Sequence, residues 1–120
     1  MSTASIDRPP LRERLRAGLS AAMRARDRAG VSALRSALGA VDNAEAVDVA
    51  EHRAGALEHS ATGLGVAEVE RRELTEQDVE RIVRAEVTER LTVAEQYESL
   101  GRTDRAATLH AEAKALTDLL

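Results

Sequence analysis

Apolar residues recur at helical spacing in four stretches of the chain. The first stretch follows Pro9 and Pro10, and proline is well placed in the first turn of a helix. Within each stretch, Leu, Val, Ile and Ala are three and four residues apart, as expected of helices with one apolar face. The pattern predicts helices over 10–27, 30–46, 75–100 and 103–119. The predicted fold class is therefore all-α, a small bundle of about four helices.

Local signals mark the ends of the later helices. Thr75 precedes Glu, Gln and Asp, which is close to a capping box, and acidic residues in a first turn favour the helix dipole. Gly101 can adopt the left-handed conformation that ends a helix, and Thr103 can cap the helix that follows. Short connections therefore separate the predicted helices, except between the second and the third.

Residues 47–73 form that exception. Their apolar periodicity is weak, and they contain three glycines together with His52 and His59. A connection of this length inside a compact domain is usually functional or disordered. We expect a flexible loop over 47–73, with room for a short helical piece near 49–60, inside a single domain of 120 residues.

Composition narrows the classes of protein. Hydrophobic residues make up 43% of the chain, but Tyr97 is its one aromatic residue, so the core must consist of Leu, Val, Ile and Ala. The absence of cysteine excludes disulfides, thiolate nucleophiles and cysteine zinc sites. The polar first ten residues do not resemble a signal peptide, and no apolar run approaches the ~20 residues of a membrane span. We expect a cytoplasmic protein without membrane contact.

Catalytic and cofactor motifs are missing from the sequence. The three histidines, His52, His59 and His110, form no metal-binding motif such as HExxH. Gly63 and Gly65 follow no predicted strand and precede no lysine, so they do not form a phosphate-binding loop. No histidine is placed by a recognisable motif to activate a serine. We therefore expect no enzyme activity of the chain alone, no metal and no cofactor.

Charge is distributed unevenly along the chain. Residues 8–35 hold eight arginines and two acidic residues, a net charge of +6, although the whole chain has a net charge of −4. Such asymmetry favours either an anionic partner for the basic part or attraction between the two parts within the fold. If the partner is anionic or an RNA, the candidate binding residues are Arg12, Arg16, Arg24 and Arg28.

Charged residues also interrupt the apolar faces of two predicted helices. At ~100° per residue, Glu86 and Arg90 fall within the apolar stripe of the third helix, and Glu45 falls on that of the second. Because a buried charge is costly unless it is paired, we predict a buried network of Glu45, Glu86 and Arg90 that reaches Arg35. Two interpretations remain open: the network fixes helix register, or its two arginines form an anion or ribose site.

Two segments together resemble the YqeY family. They are LRSALGAVDNAEAV at 34–47 and LTEQDVERIVRAEVTERLTVAEQYESLGRTDRAATLHAEAKALTDLL at 74–120. The residues that carry the resemblance are Leu34, Arg35, Asn43, Ala44, Glu45, Leu74, Thr75, Glu86, Arg90, Gly101 and Arg102. The family is a free-standing relative of the tail domain of the aspartyl/glutamyl-tRNA amidotransferase B subunit. The resemblance ends at Leu120, before the second helical subdomain that usually follows in the family.

The resemblance implies a helical domain that helps to hold tRNA while the chemistry takes place elsewhere. Members are often catalogued under carbon–nitrogen ligase activity with glutamine as amido donor, which describes the complete enzyme. Three functions remain open: a non-catalytic RNA-associated module, a protein–protein adaptor without an RNA role, and an accessory that acts only within a larger tRNA-linked complex. RNA binding predicts strong salt dependence, whereas an adaptor predicts protein partners that survive nuclease treatment.

Overall fold

The computed structural model describes residues 8–59 and 74–120, with the backbone alone for 48–52 and 55–59. These residues form four helices: α1 (Leu11–Ala25), α2 (Arg28–His59), α3 (Glu76–Ser99) and α4 (Thr103–Thr117). The predicted all-α fold is thereby confirmed for the part of the chain that is described. Two- and three-residue connections join α1 to α2 and α3 to α4, so each pair forms an antiparallel hairpin.

The ends of α3 are set by its sequence. The Thr75 hydroxyl accepts a hydrogen bond from the Asp78 backbone N–H at 3.1 Å, and the Asp78 carboxylate accepts one from the Thr75 N–H at 3.0 Å. This reciprocal capping box holds the pKa of Asp78 below its ordinary value of 3.8, chiefly through the bond from the Thr75 backbone. After α3, Gly101 has a φ of 75°, the left-handed conformation that the sequence predicts.

The turn between α1 and α2 differs from a usual helix end. Arg26 occupies the left-handed C-cap position of α1, with a φ of 56°, where glycine is the favoured residue. A side chain in this conformation costs about 1 kcal/mol. Asp27 then caps α2, because its carboxylate accepts a hydrogen bond from the Gly30 backbone N–H at 3.1 Å.

Two glycines of α2 should respond in opposite directions to substitution by alanine. A Cβ at Gly30 would lie 2.5 Å from Oδ2 of Asp27, the second oxygen of the capping carboxylate, whereas one at Gly39 would meet nothing within 4 Å. We expect Gly39→Ala to stabilise the fold by about 0.5–1 kcal/mol through helix propensity, and Gly30→Ala to destabilise it by about 1 kcal/mol through the lost cap. Urea denaturation measures both; equal shifts for the two variants would contradict the cap.

The core lies where the two hairpins pack together. Helix α2 contacts both helices of the second hairpin, α4 more extensively than α3. The largest fully buried side chains come from all four helices: Leu11, Leu15, Val41, Val83 and Leu116. Gly18 allows α1 to approach the end of α4 closely, since a Cβ there would lie 2.8 Å from Leu119 Cδ1. Aliphatic side chains form this core, as the composition predicts.

Two arginines at the start of α1 form hydrogen bonds with the residues that follow α4. Arg8 donates hydrogen bonds to the carbonyl oxygens of Leu120 at 3.0 Å and Leu119 at 3.1 Å. Arg14 donates from Nε to the same Leu119 carbonyl at 2.9 Å. The Leu11 backbone N–H donates to Glu76 Oε2 at 2.9 Å, so the start of α3 joins as well. We name this group of residues the terminal clasp.

The predicted end of the second helix at 46 is too early, because 47–59 is helical where the sequence predicted a loop with room for a short helical piece near 49–60. The backbone of these residues continues α2 as far as His59, and 60–73 lies outside the described residues. Val47, Arg53 and Ala54 are exposed. The segment is rich in alanine, and extending an existing helix avoids the cost of nucleation. Helix propensity therefore outweighs the missing periodicity.

Candidate functional site

Arg90 of α3 lies at the centre of a half-buried ion cluster. Its Nη1 donates to Glu86 Oε1 at 3.1 Å, and its Nε donates to Glu112 Oε1 of α4 at 2.9 Å. The side chains of Arg90, Glu86 and Glu112 are only 11%, 17% and 15% exposed. From α2, the Ser36 hydroxyl donates to Glu86 Oε1 at 2.7 Å. We name these four residues the Arg90 cluster.

The contacts of the Arg90 cluster are those of an ion-pair network that holds helices together. It links α2, α3 and α4, and its arginine donates hydrogen bonds to two carboxylates. Beside it lies a cleft of about 210 Å³, whose further lining includes Glu89. Because acidic side chains outnumber the arginine, an incoming anion would be repelled. The geometry therefore favours the interpretation in which the cluster fixes the register of the helices over the one in which it forms an anion or ribose site.

The structure brings together only two of the four residues predicted for a buried network. Glu86 and Arg90 pair, but Glu45 instead forms an ion pair with Arg12 at 2.6 Å, and Arg35 is exposed. Helix geometry explains the difference, since Glu45 lies about 14 Å further along α2 than Ser36, the residue that reaches Glu86.

Sequence reasoning missed Ser36 and Glu112. A signal existed for Glu112, which interrupts the apolar stripe of Leu109, Ala113 and Leu116 on α4. Ser36 gave none, because serine is common on exposed helix faces. The missed partners both come from helices other than α3.

Arg12 is not available as an anion-binding residue in this fold. Its Nη2 donates to Glu45 Oε2, and about a quarter of each side chain is exposed. Its Nε is buried without a hydrogen-bond partner. The charge of Arg12 is therefore neutralised by Glu45. For this residue, the alternative holds in which the basic and acidic parts of the chain attract each other within the fold.

An open groove lies beside the turn between α1 and α2. It measures about 710 Å³ and is lined by Met23, Arg26, Arg28, Val31, Ser32 and Arg35. Among the described residues, no carboxylate lies within 4.0 Å of its three guanidinium groups. The neighbouring Asp27 carboxylate is engaged by the Gly30 N–H. We name this feature the arginine groove.

Two further predicted arginines lie on α1, the helix that supplies Met23 to the arginine groove. Arg24 directly follows Met23, and Arg16 lies seven residues before Met23, on the same side of α1. Both are exposed, and neither has a carboxylate within 4.0 Å in the described part of the chain. Together with the groove arginines they form what we name the basic face: Arg16, Arg24, Arg26, Arg28 and Arg35.

Known proteins give no further guidance at this point. No family model, curated protein or solved structure matches this chain. The similarity to the YqeY family therefore remains an expectation drawn from the sequence segments quoted above. The assignment of a function to the basic face has to rest on geometry and charge.

Other kinds of site find no support in residues 8–59 and 74–120. Among the side chains that the structure describes, which leave out 48–52 and 55–59, no three His, Asp or Glu residues are grouped so that they could hold a metal ion. His110 pairs with Glu98 at 2.7 Å, and both side chains are about half exposed. None of the described helices has the length and apolarity to span a bilayer. The basic face is the feature that best suits a ligand.

Proposed function

We propose that this protein is a non-catalytic, RNA-associated helical module that contacts RNA phosphates through its basic face. The observation that carries the proposal is the set of exposed arginines without carboxylate partners among the described residues. A guanidinium group binds phosphate through two parallel hydrogen bonds. Exposed arginines without a carboxylate partner in the described part of the chain fit an anionic partner, although the whole chain has a net charge of −4.

The ion pairs elsewhere in the fold also support binding of RNA at the basic face. Glu45 pairs with Arg12, and Glu86 and Glu112 both pair with Arg90, so none of these acids pairs with an arginine of the basic face. The acidic remainder of the chain would repel RNA from the other surfaces. The protein would therefore approach RNA with the α1–α2 turn leading.

The resemblance to the amidotransferase tail domain suggests tRNA as the RNA class. In that setting the protein would be an accessory of a tRNA-linked complex in the cytoplasm, with chemistry supplied by other subunits. Tyr97, the sole aromatic residue, lies on α3 and is not part of the basic face. Phosphate contacts would therefore dominate affinity, with little discrimination between sequences.

Binding to labelled tRNA should weaken steeply with salt. If all five arginines of the basic face contact phosphates, log K should fall with log salt with a slope of about −4. Replacing Arg28 and Arg35 together with glutamine should make that slope shallower by about 2 units, because two counterion-releasing contacts are lost. Fluorescence anisotropy over a salt series measures both.

Arg81→Gln is the matched control for this experiment. Arg81 is 76% exposed on α3 and lines a different cleft beside Asn43, which lies about 22 Å further along α2 than Arg28. It should leave the slope unchanged. A slope that changes equally in the control and in the double variant would contradict binding through the basic face.

A second candidate function is a protein–protein adaptor. A cleft of about 530 Å³ between α2 and α3 is lined in part by Val47, Leu74 and Ile82, and Val47 is 56% exposed. This apolar cleft favours a protein partner. If the protein is an adaptor, a protein partner should remain bound in pull-downs after nuclease treatment. The Val47→Glu variant should lose this partner, whereas the variant with both Arg28→Gln and Arg35→Gln should keep it.

A further inference from the structure

One lining residue of the arginine groove is an arginine at a backbone position that favours glycine. Arg26 ends α1 in the left-handed conformation, at the edge of the groove. Residues held in such conformations cluster at ligand sites, where the side chain contributes to binding. Arg26 is thus a lining residue of the groove that is held in a strained backbone conformation.

The lining of the groove combines anion-binding groups with an apolar surface. On α2, Arg28 and Arg35 lie about 10 Å apart along the helix axis, with Ser32 between them on the same side. Their long side chains and the Ser32 hydroxyl can therefore converge on one phosphate. Met23, 51% exposed, and Val31 supply the apolar surface next to this position.

A nucleotide has both parts that this lining requires. Its phosphate suits the guanidinium groups, and the flat face of its base suits stacking and contact with apolar side chains. A polarizable methionine side chain packs favourably against an aromatic ring, and a guanidinium plane stacks on a base. The groove volume of about 710 Å³ lies in the range of small-ligand sites. Bases can thus be held here without an aromatic side chain.

We propose that the arginine groove holds one unpaired nucleotide, with its phosphate on Arg28 and Arg35 and its base between Met23 and Arg26. This inference rests on the proposed RNA function, because the nucleotide is taken to be part of a bound RNA. Purines are preferred over pyrimidines, since the larger ring covers more of the apolar surface. An acidic peptide would satisfy the arginines but leave Met23 and Val31 uncovered.

Methionine labelling gives a direct probe of the groove. The chain contains two methionines, so a sample labelled at the methionine methyl carbons shows one signal from Met23, assigned by Met23→Leu. Titration with AMP should shift this signal upfield through the ring current of the base, and the shift should saturate. Ribose 5-phosphate and inorganic phosphate should produce no upfield shift.

Two variants separate the contributions to binding. Met23→Gln should weaken AMP binding about fivefold and ribose 5-phosphate binding less than about twofold, because only the base contact is lost. Arg26→Gly should weaken AMP binding about fivefold without lowering the melting temperature, since glycine suits the left-handed position. Arg81→Gln should change neither affinity.

The outcomes distinguish this inference from the proposed function. If AMP and ribose 5-phosphate shift Met23 equally, or if hexaglutamate displaces AMP more effectively than hexaadenylate does, the nucleotide assignment is overturned. If tRNA binds with the expected salt slope while AMP leaves Met23 unmoved, the groove proposal fails and the basic face stands. If AMP shifts Met23 but tRNA does not bind, the groove is a nucleotide site and the RNA function fails.

Discussion

Replacing Arg90 with alanine should lower the free energy of unfolding by about 3 kcal/mol. The substitution leaves Glu86 and Glu112 facing each other at side-chain exposures of 17% and 15%, without the guanidinium group that both contact. Uncompensated, half-buried carboxylates repel each other and lack hydration. For a chain of this size the melting temperature should fall by about 10 °C. Urea denaturation and thermal melts followed by circular dichroism measure the loss.

A matched arginine on the same helix provides the control. Arg84 also pairs with a glutamate four residues away, Glu80, but its side chain is 61% exposed. Arg84→Ala should therefore cost no more than about 0.5 kcal/mol. If Arg90→Ala costs equally little, the Arg90 cluster does not hold the helices together.

A triple variant tests whether the cluster is only structural. Arg90→Met combined with Glu86→Gln and Glu112→Gln keeps the approximate side-chain sizes and removes all three charges. Replacing a buried ion pair by neutral groups of similar volume is often close to neutral, so most of the lost stability should return. A triple variant no more stable than Arg90→Ala would show that the charges themselves are required.

Replacing Leu116 with alanine should cost about 3–4 kcal/mol. Leu116 is fully buried and joins α4 to the core formed by Leu15, Val41 and Val83. Truncation removes apolar contacts and leaves a cavity between helices that pack closely. Leu91→Ala, at a leucine that is 40% exposed on α3, should cost less than about 1 kcal/mol. Equal urea midpoints for the two variants would contradict the placement of Leu116 in the core.

Three of the four helices could be predicted closely because their ends are encoded locally. Pro10 precedes α1, Thr75 caps α3, and Gly101 separates α3 from α4. The end of α2 could not be predicted in this way. The apolar periodicity of residues 47–59 is weak and gave no signal, although their alanine content favoured a helix.

The candidate site was less predictable, since it depends on contacts between helices. Glu86 and Arg90 pair within α3, and a spacing of four residues on one helix suffices to expect that. Their partner Glu112 comes from α4, and the partner of Glu45 is Arg12 from α1. Choosing among such partners requires the relative registers of the helices, which periodicity along each helix does not contain.

The unusual conformation of Arg26 was also hidden from sequence reasoning. A left-handed helix end is expected at glycine or asparagine, and the chain has arginine there. A site residue that contradicts local preference is visible only once the backbone is known.

The terminal clasp separates the rate of folding from the lifetime of the folded state. Its hydrogen bonds from Arg8 and Arg14 join residues 112, 111 and 105 positions apart in the chain. The two hairpins need only short loops to close, so they can form before these distant partners meet. Contacts absent from the transition state leave the folding rate unchanged and slow unfolding. We therefore expect substitution of Arg8 or Arg14 to speed unfolding while leaving the folding rate unchanged.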